Sequence, residues 1–142
     1  MTGLCNRKVI NSELEHKLQS LVGRNIPVTV IAIDSDGLKR INDTLGHHMG
    51  DKSIQTLGQA LGNAIRKSDY GIRLGGDEFC LILIDNSLSR SRDVIDRVQE
   101  QLLTIDTEKL VAFSWGAYQL QSGDTLDVAM HKADELLYQH KR

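Results

Sequence analysis

The chain lacks most of what would tie a protein to a membrane, an oxidising compartment or a nucleic acid. Only two cysteines, Cys5 and Cys80, occur in 142 residues, and their spacing suits neither a zinc site nor a disulfide framework. No apolar run approaches the ~18 residues needed to cross a bilayer, and no signal peptide opens the chain. Lysine and arginine number 17 against 19 acids, a net charge of −2, so no basic excess exists to hold a phosphate backbone. Internal repeats, low-complexity tracts and linkers are also missing. A nucleic-acid scaffold and a membrane-spanning segment are disfavoured, and the expected setting is reduced and cytosolic.

What is present is ordinary globular material. Apolar residues make up 40% and charged residues 25%, and this length fits one domain around one core. Periodicity predicts a helix over 6–22 through Val9, Ile10, Leu14, Leu18 and Leu21. A strand over 28–34 follows Pro27, then a short helix near 37–44 and a longer one over 49–66 carried by Ile54, Leu57, Leu61 and Ile65. Hairpin strands are expected at 72–74 and 79–84, a helix over 88–103, a strand over 110–118 and a last helix marked by Leu126, Met130, Ala133 and Leu137. That order predicts an α/β (α+β) sandwich whose mixed sheet is covered by helices. Cys80 falls inside a strand and is expected to be a buried thiol.

Three segments carry more than fold. Asp77 and Glu78 follow Gly75-Gly76 between two apolar runs, which reads as a glycine turn holding two carboxylates at a hairpin tip. Such acids suit a divalent cation and the phosphates it neutralises, although Gly-Asp is also plain turn chemistry. Val28 to Ile33 reads as a strand buried on both faces and ends abruptly in Asp34-Ser35-Asp36-Gly37. A carboxylate there stands where open α/β sheets place ligands. Between Lys39 and Asp51, a Lys, Asn, His and Asp set is packed around two glycines. Taken singly, Asp51 is also a first-turn acid favoured by a helix dipole, and His47 with His48 a solvated loop pair.

Together these segments resemble the GGDEF family of diguanylate cyclases. The signature stands as Gly75-Gly76-Asp77-Glu78-Phe79, and 34–43 with 46–51 follows the family's metal and guanine segment. Thr2-Gly3-Leu4-Cys5-Asn6-Arg7 resembles its opening motif, Phe113-Ser114-Trp115-Gly116 its late Ser-x-Gly strand, and 133–141 its closing helix. The matches run from Thr2 to Lys141. Met1 directly precedes the opening motif, so residues 1–142 are expected to be a single catalytic domain excised from a longer sensor protein. The parent is free to carry a membrane anchor; this domain is expected to touch neither membrane nor nucleic acid.

The resemblance implies a palm-like nucleotidyl-cyclase fold with about five strands. It implies condensation of two GTP molecules to cyclic di-GMP and two pyrophosphates, with Mg²⁺ or Mn²⁺, across a homodimer. Asp34, the Ser35 carbonyl and Asp77 would bind metal with Glu78 nearby; Asp77 is the candidate base, and Lys39 would stabilise phosphate charge. Substrate contacts fall to Gly37, Leu38, Asn42, His47, Asp51, Gly75, Gly76 and Lys132. Arg66 and Asp69 match the family's product-inhibition site, six residues before Gly75, although a helix end is the alternative reading. The departures are Gly37-Leu38 where the family often has aromatics, His131 where many members have a basic residue, and a chain that stops at Arg142 without Gly-Arg-Asn. The other function classes are a cyclic di-GMP receptor using Arg66 and Asp69, and a dimerisation module passing signals.

Overall fold

A computed structural model describes residues 4–141. Thr2 and Gly3 of the opening motif, with Met1 and Arg142, lie outside the described residues. The elements run α1 (Ser12–Gly23), β1 (Val28–Ser35), α2 (Leu38–Leu45), α3 (His47–Ala64), β2 (Tyr70–Arg73), β3 (Glu78–Ile84), α4 (Leu88–Ile105), β4 (Phe113–Gln119) and α5 (Leu126–Lys141). A 3₁₀ turn, Arg7–Val9, precedes α1.

The sheet order is β2-β3-β1-β4. The sequence led to a mixed sheet of about five strands; the described residues form four, and all three neighbouring pairs are antiparallel. The β2–β3 hairpin returns β3 beside β1 in the opposite sense, and α4 carries the chain over to the far edge of β1, where β4 again runs opposite. Val28 pairs with Ile84 and Asp34 with Glu78 across β1–β3, while Asp34 pairs with Ser114 across β1–β4.

Alternation along the strands divides the core between two faces. Ile31, Ile33, Phe79, Leu81 and Leu83 pack with Leu57 and Leu61 of α3 and Val94, Ile95 and Val98 of α4. Val28, Val30, Cys80 and Ile82 pack with Leu14 and Leu18 of α1 and Leu126, Ala129 and Ala133 of α5. Each fully buried aliphatic side chain contributes ~1.5–3 kcal/mol, so β1 and β3, apolar on both faces, anchor the domain. Burial pushes the Cys80 thiol up to about 12, leaving it an inert core group.

Two boundaries differ from the periodicity for local reasons. The helix expected over 6–22 is broken at Ile10 and Asn11, because two asparagines cap separately: Asn6 accepts from Lys8 N and Asn11 from Leu14 N. The strand expected from residue 110 starts at Phe113, because the Asp106 carboxylate takes the Leu110 and Val111 amides at 3.0 Å each. No helix among the described residues is long and apolar enough to cross a membrane.

Candidate functional site

The site forms where β1 ends. Asp34 and Glu78 are cross-strand partners, so their side chains leave the same face of the sheet. Asp77 is fastened beside them, since its carbonyl accepts from Ser35 N at 2.8 Å. Burial raises the Asp34 carboxyl above its ordinary value, the charges of Asp77 and Asp134 raise it further, and Lys141 opposes them. Glu78 is raised for the same reasons, burial first, then Asp34, Asp77 and Asp134, with Arg7 opposing. Four acids thus share one end of the sheet without enough cations to balance them.

The cation that does reach them is Lys141, at 3.3 Å from both Asp34 and Asp36. Its own desolvation would lower its pKa, but the hydrogen bonds and charges of the two aspartates outweigh this and raise it. Asp36 is further held by Ser114 Oγ, which donates to it at 2.6 Å. Gly116 explains how α5 arrives there. A Cβ at that position would lie 2.3 Å from Leu137 N and 2.4 Å from Ala133 O, so the helix backbone rests directly on β4. Asp36, Ser114 and Lys141 have no functional role in the sequence reading; the only signal was their place inside the quoted segments.

A second group of residues is set by α2 and α3. Gly37 caps α2 at φ +75 and Gly46 separates the helices at φ +92, both left-handed values that favour glycine. At Gly50 a Cβ would sit 1.8 Å from Asn42 Oδ1, so the bare α3 backbone admits the Asn42 side chain. Asn42 and Asp51 are thereby brought to one interhelical cleft. His47 and His48 occupy the first turn of α3 rather than a loop, and with Lys39 and Asp51 they are exposed. Leu38 is half-buried as the first residue of α2.

The glycines of the signature behave otherwise than a hairpin turn requires. Neither Gly75 nor Gly76 adopts a left-handed φ, and no atom lies within 4 Å of a Cβ built on either. Backbone conformation and packing within the chain both tolerate a side chain there, so the bare backbone is left for something outside the chain to approach.

Other expected residues fall elsewhere. Lys132 lies over the Tyr118 ring at 5.1 Å and reaches its hydroxyl at 3.4 Å, while that hydroxyl donates to Asp124 at 2.6 Å. Val30, not Asp34, is the β1 partner of Tyr118, so Lys132 serves the opposite end of the strand. His131 instead lines a cleft of about 320 Å³ that also touches Asp34, Glu78 and Asp134, and it pairs with Glu135 at 3.0 Å. Asp69 is spent on the fold: its side chain is 2% exposed and accepts from Arg66 N and Ile84 N at 2.9 Å each. The Arg66 guanidinium, half-exposed, donates to the Ile84 carbonyl and lies 3.5 Å from Asp69.

The donors at the end of β1 suit a hard divalent cation. They are carboxylates and a carbonyl, and Ser35 Oγ is buried there without a hydrogen-bond partner. Among the described residues no three acidic, histidine or cysteine side chains close around a point. An open set of this kind fits Mg²⁺, which keeps water or substrate phosphates in its remaining positions.

The model of the "Diguanylate cyclase, GGDEF domain" family matches residues 1–142. The chain belongs to the GGDEF domain family. It is 49% identical over its whole length to the probable diguanylate cyclase DgcJ of Escherichia coli, covering 29% of that protein. It is 30% identical, with TM-score 0.87, to the diguanylate cyclase SiaD of Pseudomonas aeruginosa, solved with its activator SiaC, covering 99% of this chain and 56% of that one. The GGDEF domain of PA1120 from the same organism gives TM-score 0.82 at 29% identity, covering 100% of this chain and 92% of that one. This GGDEF chain therefore spans about three tenths of the first curated relative's length.

Proposed function

We propose that this GGDEF domain is a diguanylate cyclase that condenses two GTP molecules into cyclic di-GMP and two pyrophosphates. The observation that carries the reading is the pairing of Asp34 with Glu78 beside the tethered Asp77, at the β1 end from which α2 leads to the Asn42–Asp51 cleft. Asp34, the Ser35 carbonyl and Asp77 hold the Mg²⁺ or Mn²⁺, with Glu78 beside them. When bound, the ion supplies charge neutralisation on the triphosphate. Backbone at Gly37 and Leu38 meets the phosphates, and Lys39 stabilises their charge as a mobile point charge. Bare backbone at Gly75 and Gly76 lets the nucleotide approach the loop. Asp77 takes the proton of the attacking 3′-hydroxyl.

Guanine is read by Asp51, whose carboxylate accepts from N1–H and the 2-amino group, and by Asn42, with His47 at the cleft rim. Lys132 was expected at the triphosphate; its tie to Tyr118 leaves Lys141 as the ammonium already beside the metal acids. One domain holds one GTP, so turnover needs two domains facing each other. Product inhibition at Arg66 and Asp69 is part of the reading, with Arg66 as the ligand-facing group and Asp69 as its brace. We place the domain in the cytosol, where GTP is found, within a longer signalling protein.

The test is turnover of GTP with Mg²⁺ at several protein concentrations. The reading expects a rate that climbs faster than linearly with protein, and discrimination of roughly 10³ or more against ATP. Binding of cyclic di-GMP without GTP turnover would make the domain a receptor. Neither activity would leave a dimerisation module.

A further inference from the structure

We propose that Arg73 and Arg7 are positioning residues for this reaction: they hold three consecutive carbonyls of the 74–77 loop and thereby aim Asp77. The inference rests on the diguanylate cyclase reading. A loop with two glycines at its crest loses the most conformational freedom on ordering. Here neither glycine is fixed by a left-handed φ or by packing, since nothing lies within 4 Å of either Cβ position. The order must come from elsewhere.

It comes from guanidinium groups. Arg73 Nε donates to the Gly75 carbonyl at 3.2 Å and its Nη2 to the Gly76 carbonyl at 3.0 Å. Arg7 Nη1 donates to the Leu74 carbonyl at 3.2 Å. The loop ends are closed by Leu74 N on Glu78 O at 2.9 Å and Ser35 N on Asp77 O at 2.8 Å. A planar fork spans two carbonyls at fixed spacing, which a lysine ammonium cannot do. Both arginines hold the loop through its backbone, leaving the Asp77 carboxylate to chemistry.

Arg7 also links the loop to the start of the chain. Cys5 N donates to Gly71 O at 2.8 Å and Arg73 N to Cys5 O at 3.0 Å, a parallel bridge along the outer edge of β2. Leu4 fills the space above Gly71, where a Cβ would come within 2.5 Å of its Cδ2. Arg73 therefore takes the N-terminal segment with its amide and the catalytic loop with its side chain. Undocking residues 4–7 from β2 removes the Arg7 contact and loosens the loop from one side.

The experiment uses the whole chain with Arg73→Ala, Arg73→Lys, Arg7→Ala and Gly71→Ala. Backbone NMR relaxation of Gly75 and Gly76 in the nucleotide-free domain, thermal midpoint, and kcat and KM for GTP are measured. Arg73→Ala is expected to mobilise both glycine amides with the midpoint nearly unchanged. It should lower kcat roughly ten- to hundredfold, because small misplacements of a reacting group carry that cost, with KM shifting less than about threefold. Arg73→Lys should recover little, Arg7→Ala should act in the same direction more weakly, and Gly71→Ala should copy Arg7→Ala with the arginine still present. Glycine amides as rigid in Arg73→Ala as in the unmodified chain would overturn the proposal, as would a raised KM at constant kcat. If the unmodified chain fails to turn over GTP, the cyclase reading falls, while the relaxation data still decide whether the arginines order the loop.

Discussion

Asp69 and Asp34 are both aspartates at the edge of a strand with a cation nearby, and the fold treats them in opposite ways. Asp69 gives one oxygen to Ile84 N and the other to Arg66 N, is almost fully buried, and stitches the start of β2 to the end of β3. Asp34 is set against Glu78, Asp77 and Asp134, and its carboxyl is driven upward by burial and like charge despite Lys141. A carboxylate that serves the fold is satisfied inside the chain. A carboxylate kept for a ligand is left with repulsion that a divalent cation relieves. The two motifs read alike as sequence; satisfaction of the side chain separates them.

The sharpest way to break this comparison is Asp77→Asn. Removing a metal-binding charge and the proposed base should lower cyclic di-GMP formation roughly a thousandfold or more, with the thermal midpoint unmoved. Retention of more than about a tenth of the activity assigns the chemistry to another residue. Asp69→Ala should do the reverse: it strands two amides that lose their charged acceptor, at about 2–3 kcal/mol, lowering the midpoint by several degrees. A midpoint shift near zero would return Asp69 to a ligand role.

Arg66→Ala sharpens the same contrast from the ligand side. Loss of one charged hydrogen-bond pair should raise the inhibition constant for cyclic di-GMP roughly ten- to hundredfold with initial turnover intact. An unchanged inhibition curve means the arginine only closes the helix end. The smallest effect concerns pH in the metal-free domain. A carboxyl whose folded pKa lies above its unfolded value binds its proton more tightly when folded, so stability is full below the unfolded pKa and declines as pH rises through the folded one. Glu78→Gln removes that decline. It should therefore raise the midpoint slightly at neutral pH and show no gain in acid; a lowered midpoint at pH 7 would mean Glu78 is satisfied in solution.

The sequence exposed those parts of the molecule whose causes are local. Val28 to Ile33 and Phe79 to Ile84 are apolar on both faces, so β1, β3 and the acids that follow or precede them could be placed by inspection. Gly37, Gly46 and Gly50 marked the α2–α3 segment for reasons the structure bears out in backbone angle and contact. What stayed hidden depends on distant partners. Ser114 meets Asp36 across 78 positions and Lys141 meets Asp34 across 107. Lys132 looked like the triphosphate lysine because only its helix could be read; Tyr118, 14 residues earlier, decides where it points. The delayed start of β4 has the same origin, since Asp106 spends both oxygens on amides that periodicity assigns to a strand.

The seat of α5 on Gly116 has a consequence for phase. With Ala133 and Leu137 lying against bare β4 backbone, the helix has no cushion of side chains on which to roll, and its angular setting is fixed there. Lys141 lies about two turns further along the same rigid rod. One residue inserted between Ala133 and Lys141 would swing the ammonium by ~100° and advance it ~1.5 Å, away from Asp34 and Asp36. Four inserted residues would nearly restore the angle but carry the charge ~6 Å beyond the acids. The last turns of α5 thus act as a ruler whose zero is a glycine on another element, and its length is as much a part of the site as its lysine.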